Sequence, residues 1–241
     1  MIDLHTWAVQ NPTVSLIITI LSYYLCLNLY KRFNHTALLQ PVMISIVLII
    51  SLISFLEIPY AQYFDHNKII HFLLGPATVA LAIPLYKNKQ RIRQLAIPLF
   101  SAVIIGGSMA IFFAVSIAWC LNATNDVLLS LAPKSVTTPI ALSIAESINA
   151  IPSLTAAFVL ITGVVGAVVA EPLFRLINEQ DDGIKGMAIG ISAHGVGTAK
   201  ALEISPQCGA FSALSMGLTG AYTALVLPYA MEFLRAMALV P

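Results

Sequence analysis

The sequence predicts an all-α membrane protein of about seven or eight transmembrane segments, some of them broken or re-entrant. Of its 241 residues, 59% are hydrophobic and only 10% are charged, whereas a soluble domain is about 25% charged. These few charged side chains cannot cover a water-facing surface. Apolar runs also recur at the length of about 20 residues that a hydrocarbon core requires. Gly, Pro or charged residues interrupt several runs, which is why broken helices are expected.

Eight apolar runs follow one another along the chain. The second, fourth, sixth and eighth are uninterrupted and are predicted to span the membrane as simple helices. The third, fifth and seventh are interrupted, and irregular backbone at membrane depth survives only where protein or a water-filled cavity surrounds it. The runs cover residues 13–30, 38–56, 69–86, 94–120, 126–148, 151–175, 184–204 and 207–234.

The basic residues of the short loops predict the orientation. Lys31 and Arg32 place the first loop in the cytoplasm and the N-terminus outside. If the fifth run crosses, the basic residues divide as six inside and four outside. If it re-enters, Arg175, Lys185 and Arg235 move inside and the division becomes nine to one. The distribution favours re-entry of segment 126–148, although a full crossing stays open.

Two short motifs indicate an internal repeat. Residues 75–78 (Gly-Pro-Ala-Thr) and 195–198 (Gly-Val-Gly-Thr) share spacing at an offset of 120 residues, half the chain. We therefore predict two membrane repeats, 1–120 and 121–241, of inverted topology. Inverted repeats with Gly- or Pro-broken helices are typical of secondary transporters, with the substrate near the bilayer midplane. The expected architecture resembles that of an elevator-type transporter.

The fifth run contains the segment 131–140, Leu-Ala-Pro-Lys-Ser-Val-Thr-Thr-Pro-Ile. Pro139 cannot lie inside an undisturbed helix, but it suits the first turn of a new one. The free N–H groups of such a helix and the charge of Lys134 would favour an anion. The alternative is that Lys134 extends toward the membrane interface. Three hydroxyl residues could cap the new helix: Ser135, Thr137 and Thr138.

The seventh run contains a second candidate break. Gly195 and Gly197 allow the chain to leave helical geometry, and Thr198 can cap the helix that follows. His194 could bind a substrate hydroxyl or carry a coupling proton. The alternative is a histidine satisfied by a neighbouring carbonyl. Glu146 is a second candidate for proton coupling.

The sequence gives no indication of an enzyme, a cofactor or a metal site. Ser192 resembles a serine nucleophile, but His194 lies only two residues away, and such side chains do not face each other on a helix. The three cysteines have no metal-ligand or disulfide spacing. No clustered basic face indicates nucleic-acid binding.

Four segments resemble the LrgB/CidB family of bacterial inner-membrane proteins: 74–86, 133–141, 192–201 and 209–218. The resemblance implies a small LrgA/CidA-type membrane protein as partner. It also implies transport of pyruvate and other short hydroxy- or keto-acids, to which bacterial relatives are linked. The plant plastid glycolate/glycerate transporter resembles a fusion of the two parts. An older description of the family implies holin- or antiholin-like modulation of murein hydrolases and autolysis.

These observations favour a homo-oligomeric secondary transporter of small monocarboxylates over a lysis factor. A pore would need a continuous polar helix face, and the sequence shows none at helical spacing. In the transporter hypothesis the breaks after Pro133 and before Thr198 face each other near the midplane. Proton coupling is assigned to His194 or Glu146. The predicted substrate-binding residues are Thr78, Lys134, Ser135, Thr137, Thr138, His194, Gly195, Gly197 and Thr198.

Overall fold

The computed structural model describes residues 11–33, 39, 41–80 and 82–236, and within them every regular element is an α-helix. This confirms the predicted all-α class. The helices are α1 (Pro12–Arg32), α2 (Pro41–Phe55), α3 (Tyr60–His66), α4 (Lys68–Ala80), α5 (Ala82–Lys87), α6 (Lys89–Gln94), α7 (Ala96–Cys120), α8 (Asn125–Leu131), α9 (Thr138–Ser147), α10 (Pro152–Leu176), α11 (Asp182–Ile204) and α12 (Pro206–Ala236).

Four of the described helices are long and apolar enough to cross a membrane: α1, α7, α10 and α12. They match the first, fourth, sixth and eighth apolar runs. Helices α2 and α3 would add a fifth span if counted together, but they are bent by 116°. The chain is therefore a multi-pass membrane protein, whereas the predicted seven or eight segments are not confirmed.

The chain forms two compact units, Met1–Ala80 and Leu81–Pro241. In the first, α1 packs against α2 and α3. The Thr19 hydroxyl lies 2.5 Å from the Tyr63 hydroxyl, and Ser15 Oγ lies 2.9 Å from His66 Nδ1. These hydrogen bonds satisfy polar groups on an otherwise apolar helix. The predicted repeats, 1–120 and 121–241, stay a prediction.

Prolines mark the beginnings of four helices: Pro12, Pro41, Pro152 and Pro206. Proline suits this position because its fixed φ is helical and its missing N–H would have no partner there. Helix α11 begins differently, with Asp181 as a side-chain cap. Its Oδ1 accepts hydrogen bonds from the N–H groups of Gly183 (2.7 Å) and Ile184 (3.2 Å).

Asparagines in left-handed backbone conformation end three helices. Asn122, Asn149 and Asn178 follow α7, α9 and α10 with φ between 55° and 57°. Asparagine adopts this conformation more readily than other side-chain-bearing residues, and it commonly terminates helices. In the third apolar run, Pro76 lies inside α4 without ending it.

Helices α10 and α12 form the centre of the second unit. One cluster of buried apolar side chains joins α8 and α9 to both of them. A second cluster joins α10 to α11 and the start of α12. Arg91 of α6 forms an ion pair with Asp181 at the start of α11, so the chain before α7 and the chain before α11 lie at the same end of the unit.

Asn178 offers a test of these helix ends, because it is exposed and has φ 55°. We expect Asn178→Val to destabilise the protein by about 1–2 kcal/mol, since a β-branched residue is strained in the left-handed region. Asn178→Gly is the matched control and should leave stability unchanged. Thermal unfolding in detergent measures both, and equal melting temperatures for the two variants would contradict the prediction.

Candidate functional site

The fifth apolar run folds as a helical hairpin, here called the first hairpin, residues 125–147. Helix α8 ends at Leu131 and α9 begins at Thr138. Ser130 Oγ accepts a hydrogen bond of 3.1 Å from the backbone N–H of Ile151, which precedes α10. Because the ten residues of α9 span about 15 Å, α9 must fold back toward α8 for Ile151 to reach Ser130. Ile151 therefore lies beside the end of α8, a geometry that favours re-entry of the fifth run over a full crossing.

The first half of α11 runs parallel to α12. A Cβ on Gly186 would lie 2.2 Å from the carbonyl oxygen of Cys208, and a Cβ on Gly190 would lie 2.2 Å from that of Ser212. Contacts thus advance by four residues on both helices. Glycine at these positions lets the two backbones touch, as small residues do in membrane helix pairs.

The second half of α11 runs in the opposite direction. The hydroxyls of Thr198 and Ser212 lie 2.9 Å apart, and Leu202 packs against Gly209. Residue numbers now rise on α11 while they fall on α12. Helix α11 is therefore a second hairpin, with limbs 182–193 and 195–204, and it leaves at the end where it entered.

This second hairpin corrects one expectation about charge placement. Since α12 starts beside the beginning of α11 and then crosses, its far end lies on the opposite face from Lys185. Arg235 is therefore separated from Arg175 and Lys185, although the basic-residue count groups the three together. The count treats the seventh run as a crossing segment. The single residue at which the chain reverses direction gives no hydropathy signal.

His194 forms the turn of the second hairpin. Its backbone has φ 39° and ψ −134°, a conformation that costs an L-residue about 1–3 kcal/mol. The side chain is 4% exposed, and its Nε2 lies 2.8 Å from the carbonyl oxygen of Val159 on α10. The predicted alternative, a histidine satisfied by a carbonyl, is confirmed for this nitrogen. Thr198 holds the turn by donating to the His194 carbonyl at 2.8 Å.

Both breaks meet the central part of α10. Val136, in the break of the first hairpin, is 1% exposed and belongs to the same apolar cluster as Val159. The His194 ring binds the Val159 carbonyl and covers Gly163, where a Cβ would lie 2.5 Å from Cε1. The hairpins follow α7 and α10, which end at opposite faces, so their tips approach the centre from opposite sides.

Lys134 lies at the tip of the first hairpin and is partly buried. Its ammonium donates to Ser135 Oγ at 3.2 Å, and no carboxylate of the described residues lies within 4.0 Å of it. Like His194, Lys134 belongs to a break that packs against the central part of α10, so the structure places these two predicted site residues, from separate hairpins, at the same part of that helix.

The start of α9 adds hydrogen-bond donors to the same tip. Thr137 occupies the cap position, as predicted, but its side chain makes no capping hydrogen bond. Thr138 is exposed, and Pro139 follows as the second helical residue. The first N–H groups of a helix have no intrahelical partner. Pro139 has no N–H group, so at the start of α9 the N–H groups of Thr138 and Ile140 stay available to an anion beside Lys134.

The other predicted residues have different surroundings. Gly195 is exposed, and a Cβ there would have no neighbour within 4 Å, whereas Gly197 packs against Ile189. Glu146 is exposed near the far end of α9 and makes no ion pair with Lys134 in the described part of the chain. The side chain of Thr78, on α4, lies outside what the structure describes.

A second intramembrane lysine, Lys200, is already neutralised. Its side chain is 10% exposed and forms ion pairs with Glu171 of α10 (3.1 Å) and Glu203 (3.2 Å). The local pair with Glu203 is predicted by their spacing, but the pair with Glu171 is not. In the described residues, no group of three His, Cys, Asp or Glu side chains could hold a metal ion.

Comparison with known proteins identifies the family. The family model described as LrgB-like matches residues 19–233. The chain belongs to the LrgB-like family. Two relatives of this LrgB-like chain in Bacillus subtilis (strain 168) are the uncharacterized proteins YwbG and YxaC, each 34% identical. The YwbG alignment covers 92% of this chain and 98% of YwbG, and the YxaC alignment covers 85% and 89%.

A further relative is named holin-like protein CidB, from Staphylococcus epidermidis. It is 27% identical over 218 residues, which cover 90% of this chain and 95% of CidB. No solved structure matches the chain. The LrgB-like match extends from α1 to α12 and so includes both hairpins.

Gly163 allows a test of the second hairpin's seat on α10. We expect Gly163→Ala to destabilise this LrgB-like protein by about 1–3 kcal/mol, because the new Cβ would overlap the His194 ring. Gly217→Ala on α12 is the control, since a Cβ there meets nothing within 4 Å. Thermal unfolding in detergent measures both variants. An equal melting temperature for Gly163→Ala and the parent would show that the ring does not pack there.

Cysteine labelling tests whether the seventh run re-enters. In a variant with Cys26, Cys120 and Cys208 replaced by serine, single cysteines are placed at residues 180, 207 and 121. A membrane-impermeant maleimide should label positions 180 and 207 from the same side, because they flank a hairpin. Position 121, at the far end of α7, should react from the other side. Opposite sidedness of 180 and 207 would show that the segment crosses.

Proposed function

We propose that this protein is a secondary transporter of small monocarboxylates rather than an enzyme, and that the carboxylate binds where the two hairpin tips meet. One observation carries the proposal. Lys134 is a cation within a membrane-embedded hairpin, and no described carboxylate neutralises it. A lysine at this depth is costly unless it has a functional partner. A substrate carboxylate would supply that partner.

The contrast between the two intramembrane lysines supports this assignment. Lys200 has two carboxylates within 3.2 Å, so the fold itself balances its charge. Lys134 has only the neutral hydroxyl of Ser135. A structural role explains Lys200, whereas Lys134 needs an anion from outside the described chain.

The surroundings of Lys134 suit a carboxylate. Ser135 offers a hydroxyl, and the start of α9 offers N–H groups together with the positive end of the helix dipole. Charge-assisted hydrogen bonds of this kind are about twice as strong as neutral ones. Because Lys134 is a single cation, one negative charge balances it, and a second carboxylate would be buried without a partner. This favours a monocarboxylate.

The paired hairpins support alternating access. Each tip reaches the central part of α10 from a different face, so movement of one hairpin-bearing body could open the site to either side in turn. Elevator-type movement, homo-oligomerisation, an LrgA/CidA-type partner and proton coupling through His194 or Glu146 belong to the same proposal. So does a bacterial inner-membrane location with the N-terminus outside.

The alternative is a holin-like modulator of murein hydrolases and autolysis. Its support is the name of the relative CidB, holin-like protein, which describes that protein. Flux through reconstituted vesicles separates the two functions. Saturable uptake of one labelled acid that other acids suppress indicates a carrier, while non-selective dye leakage indicates a pore. Vesicles with and without the LrgA-type partner show whether this chain is sufficient.

Lys134→Ala tests the site directly. We expect saturable uptake to fall at least about tenfold, because the principal charge-assisted bond to the carboxylate is lost. Initial rates of labelled lactate and pyruvate uptake into proteoliposomes measure the effect, with membrane insertion compared in parallel.

Lys68→Ala is the matched control, since Lys68 is an exposed lysine paired locally with Asp65. It should transport at the parental rate. Parental flux in Lys134→Ala would remove Lys134 from the site.

A further inference from the structure

A cavity of about 510 Å³ lies between α7, α8 and α12. Its lining carries no charged side chain and exposes almost only apolar surface, and none of the predicted substrate-binding residues belongs to it. At one end the hydroxyls of Ser108 and Tyr222 lie 2.5 Å apart, so they satisfy each other. This cavity, here called the groove, is therefore separate from the candidate site.

The groove occupies one half of the membrane's depth. Leu99 packs in one cluster with Phe211, and Ser108 bonds to Tyr222, so α7 and α12 run in the same direction. Both helices are long and apolar enough to cross the membrane. The lining of α7 begins at Ser108, the middle residue of that helix, and ends at Trp119, close to its last residue. This stretch rises about 16 Å, and the hydrocarbon of one leaflet is about 15 Å thick.

The groove is too narrow for a protein helix. Spread over about 16 Å, its volume of about 510 Å³ corresponds to a cross-section of about 30 Å². A helix with its side chains is about 10–12 Å in diameter and needs roughly 80 Å² or more. An unbranched hydrocarbon chain is the slimmest occupant that a bilayer supplies at this depth. The dimensions therefore favour a single acyl chain that extends from the midplane to the face where α7 ends.

The end of the groove at that face is suited to a lipid headgroup. Trp119 and Asn125 line it and are exposed, and their side chains offer N–H donors that bond to no other described residue. The ester and phosphate oxygens of a phospholipid accept such bonds, and tryptophan is typical of the membrane interface. Asp126 and Glu232 adjoin the lining in sequence, and both are exposed carboxylates. Their charge favours an amine-bearing headgroup over an anionic one.

We propose that the groove binds one acyl chain of an amine-bearing phospholipid, whose headgroup lies at Trp119 and Asn125. Lipid tails are as apolar as the groove, so affinity comes from close packing and from the headgroup's hydrogen bonds. The bound chain packs against Leu128 and Ala132 of the first hairpin and fills the space between this hairpin and the two crossing helices. The site is independent of the proposed carrier function.

Photolabelling tests the site. The full-length protein is placed in vesicles of phosphatidylethanolamine and phosphatidylglycerol that contain a trace of phosphatidylethanolamine with a diazirine in the middle of one acyl chain. After illumination, mass spectrometry of the peptides locates the label. Labelling of the groove lining on α7 and α8 should exceed labelling of the exposed apolar face of α10 by about fivefold, because the bound chain stays in contact. A phosphatidylglycerol probe with the same chain should label the groove about twofold to fivefold less.

Two substitutions fill the groove from separate helices. Ala230→Phe on α12 and Ser116→Phe on α7 should each lower labelling of the groove by at least about fivefold, because the ring takes the space of the chain. The matched controls are Ala224→Phe and Ile117→Phe, at exposed positions of the same helices outside the lining, and they should label as the parent does. Thermal unfolding identifies a variant that does not fold, and the other filled variant then decides.

Equal labelling of the groove and of the α10 face would overturn the site, as would undiminished labelling in the folded filled variants. A groove that stays unlabelled while other apolar faces react would overturn the lipid as occupant, in favour of a second copy of this chain. Equal or stronger labelling by the phosphatidylglycerol probe would overturn the assignment of an amine-bearing headgroup.

Discussion

Backbone amide and carbonyl groups that leave a helix inside a bilayer need partners within the protein, because hydrocarbon offers none. This constraint explains why both breaks lie against α10. The carbonyl of Val159 receives the His194 ring, and Thr198 closes the turn behind it. The break of the first hairpin is sealed by Val136 in the same apolar cluster. Without a helix at this position, neither interruption could exist at membrane depth.

The same arrangement concentrates strain and charge in one place. His194 holds an unfavourable backbone conformation, which persists because contacts on both sides fix it. Lys134 belongs to the other break, which packs against the same part of α10, and its charge is not balanced by the described residues. Other charged side chains of the same unit are balanced: Lys200 is paired twice, and Asp181 caps a helix while also pairing with Arg91.

Much of this architecture could be predicted from sequence. Hydropathy located the long helices, prolines marked several of their starts, and the Pro133–Pro139 segment and Gly195 marked the two breaks. Direction after a break could not be predicted, because it depends on contacts between distant residues such as Ser130 with Ile151 and Thr198 with Ser212. Nor could the Val159 carbonyl be anticipated, since a backbone group has no sequence signature.

The re-entrant course of the second hairpin has a consequence for how the chain enters the membrane. Both of its ends stay on the face where α10 finishes, so Asp182 and Lys185 never have to pass through hydrocarbon, where each charge would be costly. Lys200 and Glu203 enter the membrane as a neutral ion pair, and Lys200 also pairs with Glu171 near the same face. During biosynthesis, α10 and α12 can therefore be inserted as simple spans, and the hairpin can fold between them afterwards.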